Sequence, residues 1–301
     1  ASLSSLHRGF ALPSDLLRRG TVRASLSSLH FQRAETGRMR SMARALSSKA
    51  ERTQLMRTNV PSIFTTADMD PDMGLSRFGA EAKTLFGPNA RSEYLSPVEM
   101  NYKLPTNGAP EFAFVGRSNV GKSSLVDLLL GNRKIVRVSK EPGCTRSINY
   151  YGIAKSAADL SSKKDFSSYL VDLPGYGFAK KSKEEQQKWK GLIVSYLQER
   201  NQSVLRRAYV LVDSRRGIKD ADVDMMDVLS ESYIPFQVVF TKVDLVSEEE
   251  LQGTLQDAFK VIQSAHGGAC VPFVHTVSST KNTGVDAFKL SIGEIYSHNW
   301  G

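Results

Sequence analysis

The sequence has few of the residues that build disulfides and zinc sites. Its 301 residues include two cysteines, Cys144 and Cys270, which form no C-x-x-C pair, and five histidines without metal-ligand spacing. This composition favours a reducing compartment and argues against a structural zinc ion. No stretch approaches the roughly 18 apolar residues of a membrane-spanning helix, so no membrane partner is expected. Hydrophobic residues still make up 41% of the chain, which is enough for a packed core.

Positive charge is concentrated at one end of the chain. The formal net charge is +9, but residues 1–57 hold eleven Lys and Arg against three acids. The rest of the chain is therefore close to neutral, and its overall charge does not indicate nucleic-acid binding. Residues 1–57 are rich in Arg, Ser and Leu, which is typical of an organellar transit peptide. The alternative is a disordered basic arm that stays attached and contacts RNA or anionic lipid.

The remaining sequence divides into two parts. Residues 58–108 contain five prolines and are predicted to form an irregular linker that gains order towards its end. From 109 to 301, short apolar runs alternate with helical patterns and predict one domain. The strands are predicted at 112–115, 148–154, 169–171, 208–212, 238–240 and 271–277. The helices are predicted at 123–130, 184–198, 221–230, 247–264 and 285–296.

This alternation predicts the fold class. We expect a doubly wound α/β domain with a mainly parallel, six-stranded sheet flanked by helices, preceded by a largely irregular N-terminal extension. Sheets of this kind bind ligands at the carboxyl ends of their strands.

Residues 116–123 carry the motif G-x-x-x-x-G-K-S between a predicted strand and a predicted helix, as a phosphate-binding loop requires. Gly116 and Gly121 allow backbone angles that point successive N–H groups at phosphate oxygens. Lys122 supplies positive charge near the β and γ phosphates, and the Ser123 hydroxyl suits Mg²⁺. The helix that begins here turns its positive dipole end towards the phosphates. The motif predicts a nucleoside triphosphate site.

Three further motifs follow predicted strands. In Asp172-Leu173-Pro174-Gly175, the carboxylate can hold Mg²⁺ through water and the glycine N–H can reach the γ phosphate. In Thr241-Lys242-Val243-Asp244, the final carboxylate can accept hydrogen bonds from guanine N1–H and the 2-amino group, neither of which adenine offers. Lys242 is expected to pack its stem along the base. Ser278-Ser279-Thr280 is expected to offer backbone N–H groups to guanine O6.

A loop between the first helix and the second strand is the candidate sensor of the γ phosphate. In Pro142-Gly143-Cys144-Thr145-Arg146, we expect Thr145 to be a second hydroxyl ligand of Mg²⁺ and Gly143 to be a hinge. The alternative is an ordinary loop whose threonine faces water.

These motifs together resemble the EngB (YihA/YsxC) family of GTPases over residues 89–299 or so. The string Asp172-Leu173-Pro174-Gly175-Tyr176-Gly177-Phe178-Ala179 is the most specific part, and Trp189 and Leu211-x-Asp213-Ser214-Arg215 also match. The chain departs from the family pattern at Cys144, where Arg or Lys is frequent, and in a polar insertion at 157–165.

The resemblance implies a GTP-dependent factor in assembly of the large ribosomal subunit, with precursor rRNA and ribosomal proteins as partners. A monomer in the mitochondrial matrix is expected, with the plastid as the alternative. Five lysines after Asp172 are compatible with rRNA binding in one nucleotide state. They are Lys180, Lys181, Lys183, Lys188 and Lys190. Without the resemblance, a solvated helix face with i,i+4 pairing of Glu184 and Lys188 is the favoured explanation.

Two other functions stay open at this point. One is a GTP-regulated switch that recruits protein partners in organelle division or trafficking, without RNA. The other is a tRNA-modification GTPase, which ranks last because such enzymes usually need an added domain.

Catalysis is expected to be slow without assistance. Tyr176 follows Gly175, where a water-orienting glutamine could stand, and no side chain there is suited to placing the attacking water. By resemblance, Asn119 corresponds to the asparagine that holds a catalytic K⁺ in related GTPases such as MnmE. The alternative role for Asn119 is an amide that braces the loop.

The sequence thus predicts a site for GTP as substrate and Mg²⁺ as cofactor, with K⁺ as a further candidate. The Mg²⁺ ligands are predicted to be Ser123, Thr145 and Asp172, and the residues assigned to catalysis are Lys122, Thr145, Gly175 and Asn119. The predicted nucleotide-binding residues are Gly116, Arg117, Ser118, Asn119, Val120, Gly121, Lys122, Ser123, Ser124, Gly143, Cys144, Thr145, Arg146, Ser147, Asp172, Leu173, Pro174, Gly175, Thr241, Lys242, Val243, Asp244, Ser278, Ser279 and Thr280.

Overall fold

The computed structural model of the protein describes residues 64–65, 78–95, 104–131, 147–156, 166–177, 183–200, 204–265, 269–271 and 273–297. Within these ranges the chain forms eight strands and six α-helices. The strands are β1 Phe64–Thr65, β2 Arg91–Leu95, β3 Glu111–Gly116, β4 Asn149–Ala154, β5 Ser168–Asp172, β6 Leu205–Asp213, β7 Phe236–Thr241 and β8 Phe273–Thr276. The helices are α1 Phe78–Phe86, α2 Lys122–Leu129, α3 Lys183–Arg200, α4 Asp220–Glu231, α5 Glu248–Ala265 and α6 Val285–Ser297.

All eight strands belong to one sheet, in the order β1-β8-β7-β6-β3-β5-β4-β2. Neighbouring strands are parallel except where β4 pairs with β5 and with β2. The prediction of a doubly wound, mainly parallel α/β sheet is confirmed. The predicted count of six strands is wrong, because β1 and β2 extend the sheet at its two edges. The six predicted strands and five predicted helices are all present, with ends that shift by at most three residues.

Helices cover both faces of the sheet, and the central strands bury side chains on both. In β3, Ala113 and Val115 join a core cluster that includes residues of α3, α4 and α5. Phe112 and Phe114 point the other way, into a cluster with residues of α1, α2 and α6. Every residue of β3 is buried. This explains the short, almost wholly apolar run in the sequence, which is typical of a parallel strand covered on both faces.

Residues 78–95 differ from the irregular linker that the sequence predicts. Helix α1 packs against α6 so closely that a β-carbon on Gly293 would lie 2.7 Å from the Ala82 nitrogen. Strand β2 pairs with β4 along its whole length, from Arg91 opposite Ala154 to Leu95 opposite Tyr150. The packed domain therefore begins before residue 109. The predicted transit peptide at 1–57 lies outside the described residues.

Candidate functional site

The predicted motifs meet at the carboxyl ends of the parallel strands. Strands β3, β5, β6, β7 and β8 run in the same direction, so their carboxyl ends lie side by side. Gly116 ends β3, Asp172 ends β5, Asp213 ends β6 and Thr241 ends β7. Parallel α/β sheets bind ligands at these carboxyl ends, and the sequence predicts a site there.

The loop between β3 and α2 has the backbone shape of a phosphate cradle. Asn119 and Gly121 both have positive φ angles, 63° and 101°, and α2 begins directly after them at Lys122. The N–H groups of Ser118 and Val120 donate to Tyr176 and Arg117 carbonyls. Within the described part of the chain, the N–H groups of Asn119 and Gly121 make no hydrogen bond. Successive N–H groups of this kind can donate to phosphate oxygens in a backbone nest, which is the role that the sequence predicts for this loop.

Two of the predicted Mg²⁺ and phosphate residues, Lys122 and Asp172, are in contact with one another. Lys122 Nζ donates to Asp172 Oδ1, and both side chains are buried, with 8% and 2% of their surfaces exposed. Burial raises the pKa of Asp172, and the Lys122 ammonium opposes that rise. Ser123 stands next to Lys122 in the first turn of α2. A buried carboxylate on a lysine, with a serine as the next residue of the chain, fits Mg²⁺ bound to phosphates, and the ion would neutralise charge there.

The loop predicted to sense the γ phosphate precedes β4. Gly143, Cys144, Thr145 and Arg146 lie outside the described residues, and Ser147, just before β4, is half-buried. Among the described residues, no three His, Cys, Asp or Glu side chains gather as a metal site. The predicted Mg²⁺ ligands are two hydroxyls and one carboxylate, so they would not form a cluster of that kind. Also within the described part, none of the helices has the length and apolar character needed to cross a membrane.

The segment after Asp172 lies directly against the phosphate loop. Leu173 donates to the Phe114 carbonyl at 2.9 Å, Tyr176 donates to the Gly116 carbonyl at 3.3 Å, and Ser118 donates to the Tyr176 carbonyl at 3.2 Å. Gly175 lies inside this ladder, and within the described residues its own N–H makes no hydrogen bond. The structure therefore places the predicted γ-phosphate donor beside the loop that would hold the phosphates.

The Tyr176 side chain is buried against α3 and α4. It is 5% exposed, and its hydroxyl donates to Asp222 Oδ1 of α4 at 2.7 Å. The sequence predicts that Tyr176 cannot place the attacking water, and the structure gives a physical reason, since the phenol is buried between helices. Asp222 was missed by sequence reasoning, because nothing local marks an aspartate 46 residues away as its partner.

The base-reading motif is tied to the phosphate loop through Lys242. Its ammonium donates to the Asn119 carbonyl and, at 2.9 Å, to Asp213 Oδ2. Its Cε would lie 3.7 Å from a β-carbon on Gly121, so the lysine stem crosses the loop. The Thr241 hydroxyl adds a hydrogen bond to the Val120 carbonyl at 2.5 Å. Lys242 and Thr241 therefore fix the position of the loop relative to the base-binding end.

Asp213 was matched in the sequence but given no role there. Arg215 donates to both of its oxygens, at 2.9 and 2.7 Å, and Lys242 donates to one of them. Burial alone would raise the Asp213 pKa, but these hydrogen bonds and charges hold it well below its ordinary value. Asp213 therefore stays ionised and anchors Lys242. An aspartate that ends a strand next to β7 is the signal that could have identified it.

The remaining base-pocket residues lie on two neighbouring loops. Asp244 is half-buried in a short 3-10 helix, Val243–Leu245, after β7. The N–H of Val243 donates to the Val277 carbonyl at 3.4 Å, which brings Ser278 alongside. The N–H of Ser278 donates to the Thr283 carbonyl at 3.0 Å and is thus engaged within its own loop. The predicted donation of this segment to guanine O6 would then rest on the N–H groups of Ser279 and Thr280.

A parallel α/β sheet with a glycine-lysine loop after β3, an Asp-x-x-Gly segment after β5 and an aspartate after β7 defines a P-loop GTPase. A sequence model described as "50S ribosome-binding GTPase" matches residues 111–242. The chain is 38% identical over 201 residues to "Probable GTP-binding protein EngB" of Rhizobium etli, which covers 65% of this chain and 88% of that protein. It is also 38% identical over 192 residues to the protein of the same name in Brucella melitensis, covering 63% and 76%.

The chain belongs to the EngB family of GTP-binding proteins. Its activity as a GTPase follows from that membership, with GTP as the substrate. Among solved structures, a probable GTP-binding protein EngB matches 62% of this chain and 98% of its own at 28% identity, with a TM-score of 0.45.

Proposed function

We propose that this GTPase is a molecular switch that assists assembly of the large ribosomal subunit inside an organelle. The observation that supports this proposal is the contact between the Asp-x-x-Gly segment and α3. The Trp189 indole N–H, on α3, donates to the Pro174 carbonyl at 3.1 Å. If loss of the γ phosphate changes the backbone conformation at Gly175, the change would therefore reach α3 through the hydrogen bond between Pro174 and Trp189. The family description, which names the 50S ribosome, supports a ribosomal partner.

The lysines after Asp172 are the candidate rRNA contacts, and they differ among themselves. Lys180 and Lys181 lie outside the described residues, and Lys183 and Lys188 belong to α3. Lys190 is half-buried. Burial and the neighbouring Asp227 and Asp220 raise the pKa of Asp224 on α4, and the Lys190 charge opposes that rise. Lys190 therefore has an acidic neighbour within the protein. The rRNA role is proposed for the lysines before it.

Co-sedimentation with large-subunit particles tests this function. The full chain should migrate with the particles in the presence of a non-hydrolysable GTP analogue and separate from them with GDP. Charge reversal at Lys180 and Lys181 should weaken the association and reduce its salt dependence, because fewer phosphate counterions are released. Reversal at Lys260, which is exposed on α5 beside Asp257, is the matched control and should have no effect.

Absence of particle binding in every nucleotide state, with tight GTP binding intact, would refute the ribosomal role. It would favour the protein-recruitment switch.

A potassium ion at Asn119 is the second part of the proposal. The loop is braced by the Asn119 carbonyl, which accepts from Lys242. The exposed Asn119 side chain makes no hydrogen bond within the described residues. This favours the amide as an ion ligand over the bracing role. GTP turnover should be faster in KCl than in NaCl at equal ionic strength, and Asn119→Ala should remove the difference. Equal rates in the two salts would contradict the potassium site.

Residues 1–57 are proposed to direct the protein to mitochondria, with plastids as the alternative. Import into isolated mitochondria and isolated chloroplasts separates the two destinations. The full chain should become protease-protected and shorter in one of them, because a transit peptide is removed after entry. Failure to enter either organelle would favour the attached basic arm.

A further inference from the structure

The three residues after Leu173 are held by three different parts of the fold. The phosphate loop contacts the main chain of Tyr176 on both sides, through Gly116 and Ser118. Helix α3 contacts Pro174 through the Trp189 indole, whose ring also packs edge-on against Tyr176 at 6.1 Å between centroids. Helix α4 contacts the Tyr176 hydroxyl through Asp222.

The contact with α4 is a buried hydrogen bond to a carboxylate. Tyr176 and Asp222 are 5% and 1% exposed. Asp222 Oδ1 accepts from the tyrosine at 2.7 Å, and Asp222 Oδ2 accepts from the Lys219 N–H at 2.9 Å, at the start of α4. Both carboxylate oxygens are therefore occupied, and the Lys219 contact fixes the orientation of Asp222. Hydrogen bonds to ionised groups are shorter and stronger than neutral ones.

These contacts flank one particular N–H group, that of Gly175. Tyr176 is fixed at its nitrogen, its carbonyl oxygen and its hydroxyl. The preceding residue, Gly175, has no side chain and no hydrogen bond to its own N–H within the described residues. Because Gly175 is a glycine, many backbone conformations are open to it, and its neighbours must select one. Of the three hydrogen bonds of Tyr176, the one from its hydroxyl is made by its side chain.

We propose that Tyr176 and Asp222 are positioning residues for γ-phosphate recognition. Their hydrogen bond holds the Gly175 backbone against the phosphate loop, so that its N–H is directed to the γ phosphate before GTP binds. GDP has no γ phosphate and does not use this donor. The pair therefore raises the affinity for GTP relative to the affinity for GDP. The inference rests on the predicted assignment of Gly175 to the γ phosphate.

A purely structural hydrogen bond would affect stability and nothing else, and the chain contains a matched example. At the opposite end of β3, the buried Tyr196 hydroxyl donates to Glu111 Oε2 at 3.0 Å. This pair has the same chemistry, a tyrosine on a buried carboxylate, but lies at the amino end of the strand, away from the nucleotide site. Tyr196→Phe is therefore the control for Tyr176→Phe.

The test measures the affinities of full-length variants for GDP and for a non-hydrolysable GTP analogue. Tyr176→Phe removes only the hydroxyl and should weaken binding of the analogue by about fivefold or more, the lower end of typical coupling between sites. GDP affinity should not change. Asp222→Ala should have the same effect, and Asp222→Asn should restore part of the preference, because its amide can still bond the tyrosine hydroxyl. Tyr196→Phe should lower stability and leave the ratio of affinities unchanged.

Fluorescence of Trp189 gives a second readout in a Trp300→Phe background, since these are the two tryptophans of the chain. The GTP analogue should shift its emission in the parent protein, and Tyr176→Phe should reduce that shift. An equal loss of GDP and GTP affinity in Tyr176→Phe, or the same ratio change in Tyr196→Phe, would overturn the inference. A parent protein without guanine-nucleotide affinity would instead refute the site assignment itself.

Discussion

Removal of Arg200 should destabilise the fold from the end of the sheet opposite the nucleotide site. Glu111, at the start of β3, has no exposed surface, and its carboxylate is contacted by the Arg200 guanidinium and by Tyr196. Arg200 ends α3, so this pair fastens the last turn of that helix to the central strand. Arg200→Met keeps much of the apolar stem and removes the charge. Glu111 would then remain buried without a cation.

The size of the effect follows from the burial of the pair. Breaking a buried ion pair by removing one partner costs about 3 to 5 kcal/mol. The Arg200 side chain retains 11% exposure, so the lower end, about 3 kcal/mol, is the better value. For a domain of this size, that corresponds to a fall of about 6 to 12 °C in melting temperature. Urea unfolding followed by circular dichroism measures the change in free energy.

The loss of stability in Arg200→Met should also depend on pH. Burial raises the Glu111 pKa above its ordinary value, and the Arg200 hydrogen bond and charge oppose that rise. Without Arg200, the folded-state pKa of Glu111 rises further above the unfolded value. Such an acid favours the fold at low pH, and this contribution is lost as the pH rises through the folded pKa. The deficit of Arg200→Met should therefore be smallest near pH 4.5, the ordinary glutamate value, and grow towards neutral pH.

An exposed pair provides the control for this experiment. Lys260 and Asp257 on α5 are 75% and 78% exposed, so Lys260→Met should give no resolvable change in stability. A deficit for Arg200→Met that is the same at pH 5 and pH 8, or equal to that of Lys260→Met, would refute the reasoning.

Three further predictions concern the nucleotide site and a buried histidine. Lys122→Ala should abolish binding of fluorescent GTP while leaving the circular dichroism spectrum unchanged; retained tight binding would contradict the phosphate assignment. Asp244→Asn should weaken GTP binding by about 10- to 100-fold and improve binding of xanthine nucleotides in competition assays, because a charged hydrogen-bond acceptor for guanine is lost. Burial lowers the His275 pKa to about 3, so its neutral form stabilises the fold above pH 6.5 and this contribution is lost as the pH falls towards 3. The decrease in melting temperature from pH 7 to pH 5 should be smaller in His275→Phe than in the parent protein. An equal decrease in both proteins would exclude His275 as the cause.

The edges of the domain show where sequence patterns are weak. Strand β2 carries charged residues and all five of its residues are half-buried, so it has no clear alternation. It becomes a strand because β4 offers a row of hydrogen-bonding partners in register. Helix α1 has nine residues, too few for periodicity alone to establish a helix, and is stabilised by its close contact with α6. Both elements depend on distant residues, which is why the linker prediction missed them.

The sequence alone determined the nucleotide chemistry and the α/β class of this protein. The glycine-lysine loop, the Asp-x-x-Gly segment and the Asp244 motif each act through residues that are neighbours in the chain, and buried parallel strands leave continuous apolar runs. Tertiary structure decided which distant groups hold those motifs in place. Tyr176 reaches Asp222, Lys242 reaches Asp213, and Glu111 reaches Arg200 across 46, 29 and 89 residues. No local pattern encodes such pairs, because they exist only once the strands and helices have packed.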